Sequence, residues 1–202
     1  GTANFYNFMD GINGIAGITG VVAFGLLAFF AFLSKADASF VTLAICISLS
    51  CLGFLPFNMP TARVFMGDVG SILLGFVFAA MVVYLSKSLI DFICLSAFLF
   101  PFYADELTTM YIRLRAGENM TRPHRRHLYQ VLANERRIPH WKVSGGYGLF
   151  QLLIGISVLL AKSFGSIMAL SLLMVYFAGF VLLTIRLRSR TAHLTAKAQR
   201  KT

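Results

Sequence analysis

The sequence predicts an all-α, polytopic integral membrane protein with about six transmembrane helices and a long cytoplasmic loop. Of its 202 residues, 57% are apolar and only 13% are charged, and the mean hydropathy is +0.75. The charged side chains are too few to build the polar surface of a soluble domain. Apolar runs close to the ~20 residues that cross a bilayer recur along the chain. The six runs are 15–33, 40–57, 69–86, 88–104, 144–161 and 164–185.

The connections between these runs alternate between short and long. Short turns follow the first, third and fifth runs, around Lys35, Lys87 and Lys162. The longer polar stretches are the amino-terminal segment, residues 58–68 and residues 105–143. Because every crossing changes sides, we expect the longer stretches and the carboxyl-terminal tail to share one membrane face. The predicted organisation is a transmembrane, catalytic-type domain over 1–185 and a basic cytoplasmic tail over 186–202.

The distribution of basic residues indicates which face is cytoplasmic. Fifteen of the 18 Lys and Arg residues fall on the side of the longer stretches, and three fall opposite. This asymmetry predicts that the long loop and the tail are cytoplasmic. The formal charge of +10 is explained by attraction to anionic headgroups beside the spans, so it does not call for a nucleic-acid partner.

The first polar motif runs from Asn4 to Gly14, just before the first apolar run. Asn4, Asn7 and Asp10 recur every third residue, which in a helix keeps them within a sector of about 120°. Four glycines continue that spacing, at Gly11, Gly14, Gly17 and Gly20. A strip without side chains fits either close helix packing or the close approach of a ligand. An ionisable Asp10 at the mouth of a spanning helix indicates a function.

The second motif lies before the third run, on the predicted cytoplasmic side. It reads Phe65-Met66-Gly67-Asp68-Val69-Gly70-Ser71. We expect a helix to begin near Ser71, with unpaired N–H groups suited to phosphate. Asp68 could cap that helix or hold a hard cation that bridges phosphate oxygens. Because Asp10 is expected at the same face, a Mg²⁺-phosphate site competes with simple capping.

The third motif lies in the long loop, at Arg122-Pro123-His124-Arg125-Arg126-His127. Arginine offers bidentate hydrogen bonds to phosphate and histidine adds a further donor, so the cluster suits a diphosphate. A solvated basic face against anionic lipid is the alternative. His140 and His193 lie away from the motifs, and we expect them to be surface residues.

Together the three motifs resemble the polyprenyl-phosphate N-acetylhexosamine-1-phosphate transferases. The family's Asn-x-x-Asn-x-x-Asp-Gly-x-Asp-Gly signature corresponds to residues 4–14, its Phe-Met-Gly-Asp-x-Gly-Ser signature to residues 65–71, and its histidine-rich loop to residues 124–127. The string Arg126-His127-Leu128-Tyr129-Gln130 is most similar to the branch that initiates O-antigen, the lipopolysaccharide polymer, on undecaprenyl phosphate.

The resemblance implies transfer of an N-acetylhexosamine 1-phosphate from a UDP-sugar to undecaprenyl phosphate, with release of UMP. It implies an enzyme of the bacterial inner membrane whose active face is cytoplasmic, and leaves a homodimer open. Phosphoryl transfer between two anions needs Mg²⁺, or alternatively Mn²⁺, and cationic donors. By the family match, Asp68 would ligate the metal, Asp10 would assist there or act on the lipid phosphate, and His127 would be the third catalytic residue.

The same match implies how the substrate is held. Asn7 would position the diphosphate or a metal-bound water, and Phe65 would stack on uracil. Gly11, Ile12 and Asn13 would contact that base. His124, Arg126 and His127 would grip the diphosphate.

Two departures from the family pattern modify this expectation. Asn13 stands where the family has aspartate, which keeps an acceptor but loses the charge. The paired aspartates that precede the first motif in the family do not occur in these 202 residues. We therefore expect the chain alone to be inactive and to require a preceding portion of a longer protein.

The alternative is a membrane protein without enzymatic activity, either a fragment of a transporter or an inactive family relative. Transporters typically carry ionisable residues near the middle of a span. Here Asp91 is the acidic residue within a run, near its outer end, whereas Asp10, Asp68 and Asp105 are expected at one interface. That pattern favours the enzyme.

Overall fold

The computed structural model describes the backbone of residues 1–119 and 126–199 and the side chains as far as Ser189. The described residues form helices and no strand. The longer helices are α2 (Ile15–Leu33), α3 (Ala38–Asn58), α4 (Gly67–Leu85), α8 (His140–Ser163) and α9 (Ser166–Gln199). The shorter ones are α1 (Thr2–Met9), α5 (Leu89–Ser96), α6 (Phe100–Arg115) and α7 (Leu128–Gln130). The predicted class, an all-α polytopic membrane protein, is confirmed.

Five described helices are long and apolar enough to cross a membrane: α2, α3, α4, α8 and the Ser166–Ser189 part of α9. They correspond to five of the six predicted runs. The fourth run, 88–104, does not form one long helix, because a 3₁₀ turn at Ala97–Leu99 separates α5 from α6. Pro101 in the first turn of α6 accounts for the break, since proline donates no backbone hydrogen bond and clashes with the preceding turn.

The broken segment nevertheless lies along α8 in the opposite direction. Near its start Asp91 pairs with Lys162, at its middle the Phe98 carbonyl accepts from Gln151 Nε2 at 2.7 Å, and further on Asp105 accepts from the Tyr147 hydroxyl at 2.7 Å. These contacts extend from Tyr147 to Lys162, over about two thirds of α8. The segment therefore runs antiparallel to α8 in helical pieces, at the position of the fourth predicted run.

Helix α2 is central, with α3, α4 and α8 packed around it. Part of the glycine strip serves this packing. A Cβ added at Gly17 would lie 2.7 Å from Leu55 Cδ2, and one at Gly20 would lie 2.6 Å from Cys51 Sγ, both on α3. The glycines do not continue the helical face of Asn4 and Asn7, because the chain turns between α1 and α2 at residues 10–14.

Helices α1 and α4 pack against each other in antiparallel register. The backbones approach closely at Gly75, where an added Cβ would lie 2.7 Å from Ala3 Cα. One turn earlier on α4, Ser71 contacts Asn7. Because the helices run in opposite directions, the same register brings the start of α4 to the end of α1. The fold thus brings the first two motifs together where α1 ends and α4 begins.

The ends of two helices differ from the sequence prediction. Helix α4 begins at Gly67 rather than near Ser71, so Asp68 lies in its first turn. Helix α9 continues without a break past residue 185 to Gln199, through most of the predicted 186–202 tail.

Candidate functional site

A polar cavity of about 240 Å³ lies where α1 ends and α4 begins. It is lined by Asn7, Asp10, Gly11, Ile12, Asn13, Asn58, Phe65, Gly67 and Asp68. The structure therefore brings together all seven site residues predicted from the first two motifs. Asn58 and Gly67 are additional lining residues.

One hydrogen bond joins the two motifs directly. Ser71 Oγ donates to Asn7 Oδ1 at 2.6 Å, across the interface between α4 and α1. The same hydroxyl lies 3.0 Å from the Gly67 carbonyl of its own helix. The serine that ends the second motif therefore orients the asparagine of the first.

Asp10 is an acidic group in a partly desolvated position. It is the C-cap residue of α1. Burial, and secondly the negative charge of Asp68, raise the pKa of Asp10 to about 6. Repulsion between the two carboxylates favours a cation between them at neutral pH.

The amino end of α4 is exposed to the cavity and bears the second acid. Met66 is the N-cap and gives no side-chain capping hydrogen bond, so Asp68 is not the cap of this helix. Gly67 has a φ of +67°, which turns the chain sharply into the helix. Phe65 is 75% exposed beside the cavity, where its ring is accessible to a flat ligand.

The turn at residues 10–14 is held by the end of α3. Gly14 has a φ of +84°, and its N–H donates to Asn58 Oδ1 at 2.5 Å. Asn58 Nδ2 donates in turn to the Val64 carbonyl at 2.9 Å. Asn58 was not predicted from the sequence, although an asparagine directly after an apolar run is a usable signal. It connects the two motif segments through backbone groups.

The turn is also held by the start of α8. The Asn13 N–H donates to His140 Nδ1 at 3.3 Å, and the Asn13 carbonyl accepts from Ser144 Oγ at 2.8 Å. The expectation that His140 is an isolated surface residue is wrong. The two side chains are one helical turn apart, so they face Asn13 together.

The third motif is not brought into this cavity. His127 is 2% exposed, with Nε2 3.4 Å from Glu106 Oε2 and Nδ1 3.8 Å from Asp105 Oδ1. Arg126 is half-exposed and pairs with Glu118. His124 lies outside the described residues. The predicted roles of these three residues at a diphosphate stay predictions.

The cavity's donor set fits a hard cation. Among the described residues no group of three or more His, Cys, Asp or Glu side chains could hold a metal by itself. The cavity offers the carboxylates of Asp10 and Asp68 together with asparagine amides. Mg²⁺ is typically bound by one or two carboxylates, water and substrate phosphates. The residues therefore fit Mg²⁺, or Mn²⁺, bound together with a phosphate ligand.

Comparison with known proteins bears directly on this cavity. Residues 1–86, which include every lining residue, match the sequence profile of glycosyl transferase family 4. The undecaprenyl-phosphate alpha-N-acetylglucosaminyl 1-phosphate transferase of Thermotoga maritima is 37% identical over 99 residues, covering 48% of this chain and 32% of that protein. The phospho-N-acetylmuramoyl-pentapeptide-transferase of Trichormus variabilis is 44% identical over 88 residues, covering 44% of this chain and 23% of that protein.

A third relative is the decaprenyl-phosphate N-acetylglucosaminephosphotransferase of Mycobacterium leprae, 35% identical over 97 residues that cover 41% of this chain and 24% of that protein. The matched part of the chain spans between about a quarter and a third of these relatives. All three names describe phospho-sugar transferases. The resemblance to the polyprenyl-phosphate N-acetylhexosamine-1-phosphate transferases is thus confirmed, and it rests on residues 1–86 for the family match.

Proposed function

We propose that the protein transfers an N-acetylhexosamine 1-phosphate from a UDP-sugar to undecaprenyl phosphate and releases UMP. The observation that carries this proposal is the convergence of Asp10, Asp68 and Asn7 on one cavity beside the open amino end of α4. Such a site suits a divalent ion with a phosphate ligand. The relatives named above act on polyprenyl phosphates and N-acetylated sugars, which supports the substrate class.

The reaction joins two anions, and different residues would bind the metal ion and the phosphate groups. Asp68 and Asp10 would hold Mg²⁺, which supplies positive charge to offset the repulsion between the lipid phosphate and the diphosphate. Asn7, fixed by Ser71, presents its amide donors to phosphate oxygen or to water. A lipid phosphate oxygen attacks the sugar-bearing phosphorus, the bond from that phosphorus to UMP breaks, and UMP leaves.

The base end of the nucleotide would lie along the turn at 11–13. The backbone of Asn13 is fixed by His140 and Ser144, so the turn is preorganised for a ligand. Phe65 offers an exposed aromatic face for stacking on uracil. These contacts bind substrate and do not take part in the chemical step.

The cavity's location fits a reaction between a soluble and a membrane-bound substrate. It lies at the ends of α3 and α4, at the face that carries the excess of Lys and Arg. By the positive-inside rule this face would be cytoplasmic, and we propose that the membrane is the inner membrane of a bacterium. There UDP-sugars are available, and the lipid phosphate group lies at the bilayer surface.

The product would enter cell-envelope polysaccharide synthesis at its first membrane step. Arg126-His127-Leu128-Tyr129-Gln130 favours the O-antigen branch, whereas the curated relatives include enzymes named for muramoyl-pentapeptide and for N-acetylglucosamine substrates. We propose the O-antigen role, with other envelope polymers as the alternatives to be tested.

The test is a transfer assay with protein expressed from its complete gene. Radiolabelled UDP-N-acetylglucosamine and UDP-N-acetylgalactosamine are each supplied with undecaprenyl phosphate and Mg²⁺. We expect labelled lipid and stoichiometric UMP, with both abolished in Asp68→Asn and retained in Asp37→Asn, an exposed acid that caps α3 in the turn after the first span. No labelled lipid from wild-type protein with either sugar, or turnover unchanged in Asp68→Asn, would refute the proposal.

A further inference from the structure

Asp105 is a buried acid in α6 that lies outside the cavity. It is 0% exposed and accepts four hydrogen bonds. Oδ1 accepts from the Leu128 N–H at 2.8 Å and from Thr109 Oγ1 at 3.2 Å. Oδ2 accepts from the Tyr129 N–H at 3.3 Å and from the Tyr147 hydroxyl at 2.7 Å. A carboxylate satisfied in this way fixes the groups around it, because breaking any one bond leaves a buried polar group unpaired.

The groups fixed by Asp105 come from three separate parts of the chain. Thr109 belongs to α6, Tyr147 to α8, and the Leu128 and Tyr129 amides to the first residues of α7. His127 precedes them as the N-cap of α7, and its N–H donates to Gln130 Oε1 at 3.2 Å. The start of α7 is therefore anchored both to α6 and to its own cap.

The side chain of Tyr129 extends from this anchor to the first motif. Its hydroxyl donates to the Phe8 carbonyl at 3.1 Å. A Cβ added at Gly11 would lie 2.2 Å from the same oxygen, so tyrosine and glycine are in direct contact. Phe8 and Gly11 flank Asp10 on either side. Tyr129 thus contacts the chain just before and just after the acid that lines the cavity.

We propose that Tyr129, anchored by Asp105, is a positioning residue that holds the turn at 10–14 in its ligand-binding shape. The expected effect on KM and kcat rests on the proposed function. The inference also gives the string Arg126-His127-Leu128-Tyr129-Gln130 a role in the site that requires no contact between His127 and the ligand. Tyr129 does not touch the cavity, so its effect on the reaction passes through the turn.

The experiment compares Tyr129→Phe with Tyr176→Phe. Each substitution removes one tyrosine hydroxyl. The Tyr129 hydroxyl bonds the Phe8 carbonyl beside the turn, whereas the Tyr176 hydroxyl bonds Ser157 between α8 and α9, away from the cavity. The loss of one neutral hydrogen bond predicts a KM for UDP-sugar about fivefold higher in Tyr129→Phe. The kcat is expected to stay within roughly twofold of wild type, because the variant keeps every group that lines the cavity and loses only a contact that holds the turn. Tyr176→Phe is expected to match wild type in both constants.

The split between KM and kcat distinguishes positioning from a purely structural role. Loss of folded protein would lower the apparent kcat and leave KM unchanged, and that result overturns the proposal, as does an unchanged KM. If Tyr129→Phe does not fold, Tyr147→Phe serves instead, because it removes a bond to Asp105 while leaving Tyr129 intact. A KM raised about twofold there supports the proposal, and an unchanged KM overturns it.

A second readout separates this inference from the proposed function. Amide hydrogen exchange is measured for residues 10–14 in the two variants, without substrate. Exchange about fivefold faster in Tyr129→Phe than in Tyr176→Phe supports the positioning role of Tyr129, and equal exchange overturns it. If the wild-type protein shows no turnover, the proposed function fails while the exchange measurement still decides the positioning role.

Discussion

Ser71 Oγ donates a hydrogen bond of 2.6 Å to Asn7 Oδ1, and this contact fixes the register in which α4 meets α1. The contact between Ser71 and Asn7 lies one helical turn from the contact between Gly75 and Ala3. One further turn in the same direction brings Asp68 toward Asp10. Fifty residues separate the two motifs in the sequence. Their convergence depends on this antiparallel interface and on Asn58, which bonds both segments.

The first prediction concerns the close approach at Gly75. In Gly75→Ala the new Cβ would lie 2.7 Å from Ala3 Cα, so α1 and α4 must separate. Overpacking of this kind typically costs about 1–3 kcal/mol. We expect a lower melting temperature and weaker UMP binding. The control is Gly53→Ala on α3, which meets no atom within 4 Å; equal losses in both variants would contradict the argument.

The second prediction concerns the hydroxyl that orients Asn7. Ser71→Ala removes the hydrogen bond to Asn7, together with the hydroxyl's bonds to carbonyls of its own helix, and should weaken binding of Mg²⁺-UMP about fivefold, because the Asn7 amide is no longer fixed. Isothermal titration measures this affinity. Ser50→Ala is the matched control, since Ser50 Oγ bonds only the Cys46 carbonyl in its own helix in the described structure. Unchanged affinity in Ser71→Ala would show that Asn7 does not contact the ligand.

The third prediction concerns pH. Burial, with the nearby charge of Asp68, raises the pKa of Asp10 to about 6, so below that pH the metal-free carboxyl is mostly neutral. A cation must then displace a proton, and its affinity should fall as pH drops through 6, approaching about tenfold per unit. The stability of the metal-free protein should instead rise as pH drops through 6. A folded-state pKa above the unfolded value gives stability at low pH that is lost as pH rises through 6.

Titration of Mn²⁺ binding between pH 5 and 8 checks this dependence. In Asp10→Asn the residual affinity should depend less steeply on pH in this window. A wild-type affinity that is constant from pH 7 to 5 would show that the Asp10 carboxylate does not take part in cation binding.

The fourth prediction uses the contact between Gly11 and Tyr129. Gly11→Ala places a methyl group 2.2 Å from the tyrosine hydroxyl, so the turn must shift and UMP binding should be lost. Adding Tyr129→Phe removes that oxygen and leaves ring carbons at 3.1 Å, a contact that small movements can relieve. We therefore expect the double variant to bind UMP more tightly than Gly11→Ala alone. Additive losses would indicate that the two residues act independently.

The sequence was sufficient to predict the fold class and seven of the nine residues that line the cavity. Hydropathy sets the spans, because each must match the bilayer thickness, and the motifs carry Asn7, Asp10 and Asp68 in recognisable strings. The break at Ala97–Leu99 was not predicted, although Pro101 is visible in the sequence. A hydropathy window does not register one proline inside an apolar run.

The supporting residues were harder to predict than the lining residues. His140 and Ser144 contact Asn13, more than 120 residues earlier, through a helix packing that no local pattern encodes. Asp105 was expected at the cytoplasmic interface, but its four hydrogen bonds depend on α6, α7 and α8 meeting. Periodicity identifies the face of a helix, whereas these contacts depend on which helices become neighbours.

The most direct test of the central claim is whether Asp10 and Asp68 hold the same divalent ion. Electron paramagnetic resonance counts free Mn²⁺ during titration of the wild-type protein, Asp10→Asn, Asp68→Asn and the control Asp37→Asn. We predict one ion bound in the wild type and in the control. Its affinity should fall at least about tenfold in each of the other two variants, a loss seen even when outer-shell partners of a metal are removed. Wild-type affinity retained in either Asp10→Asn or Asp68→Asn would contradict the shared site.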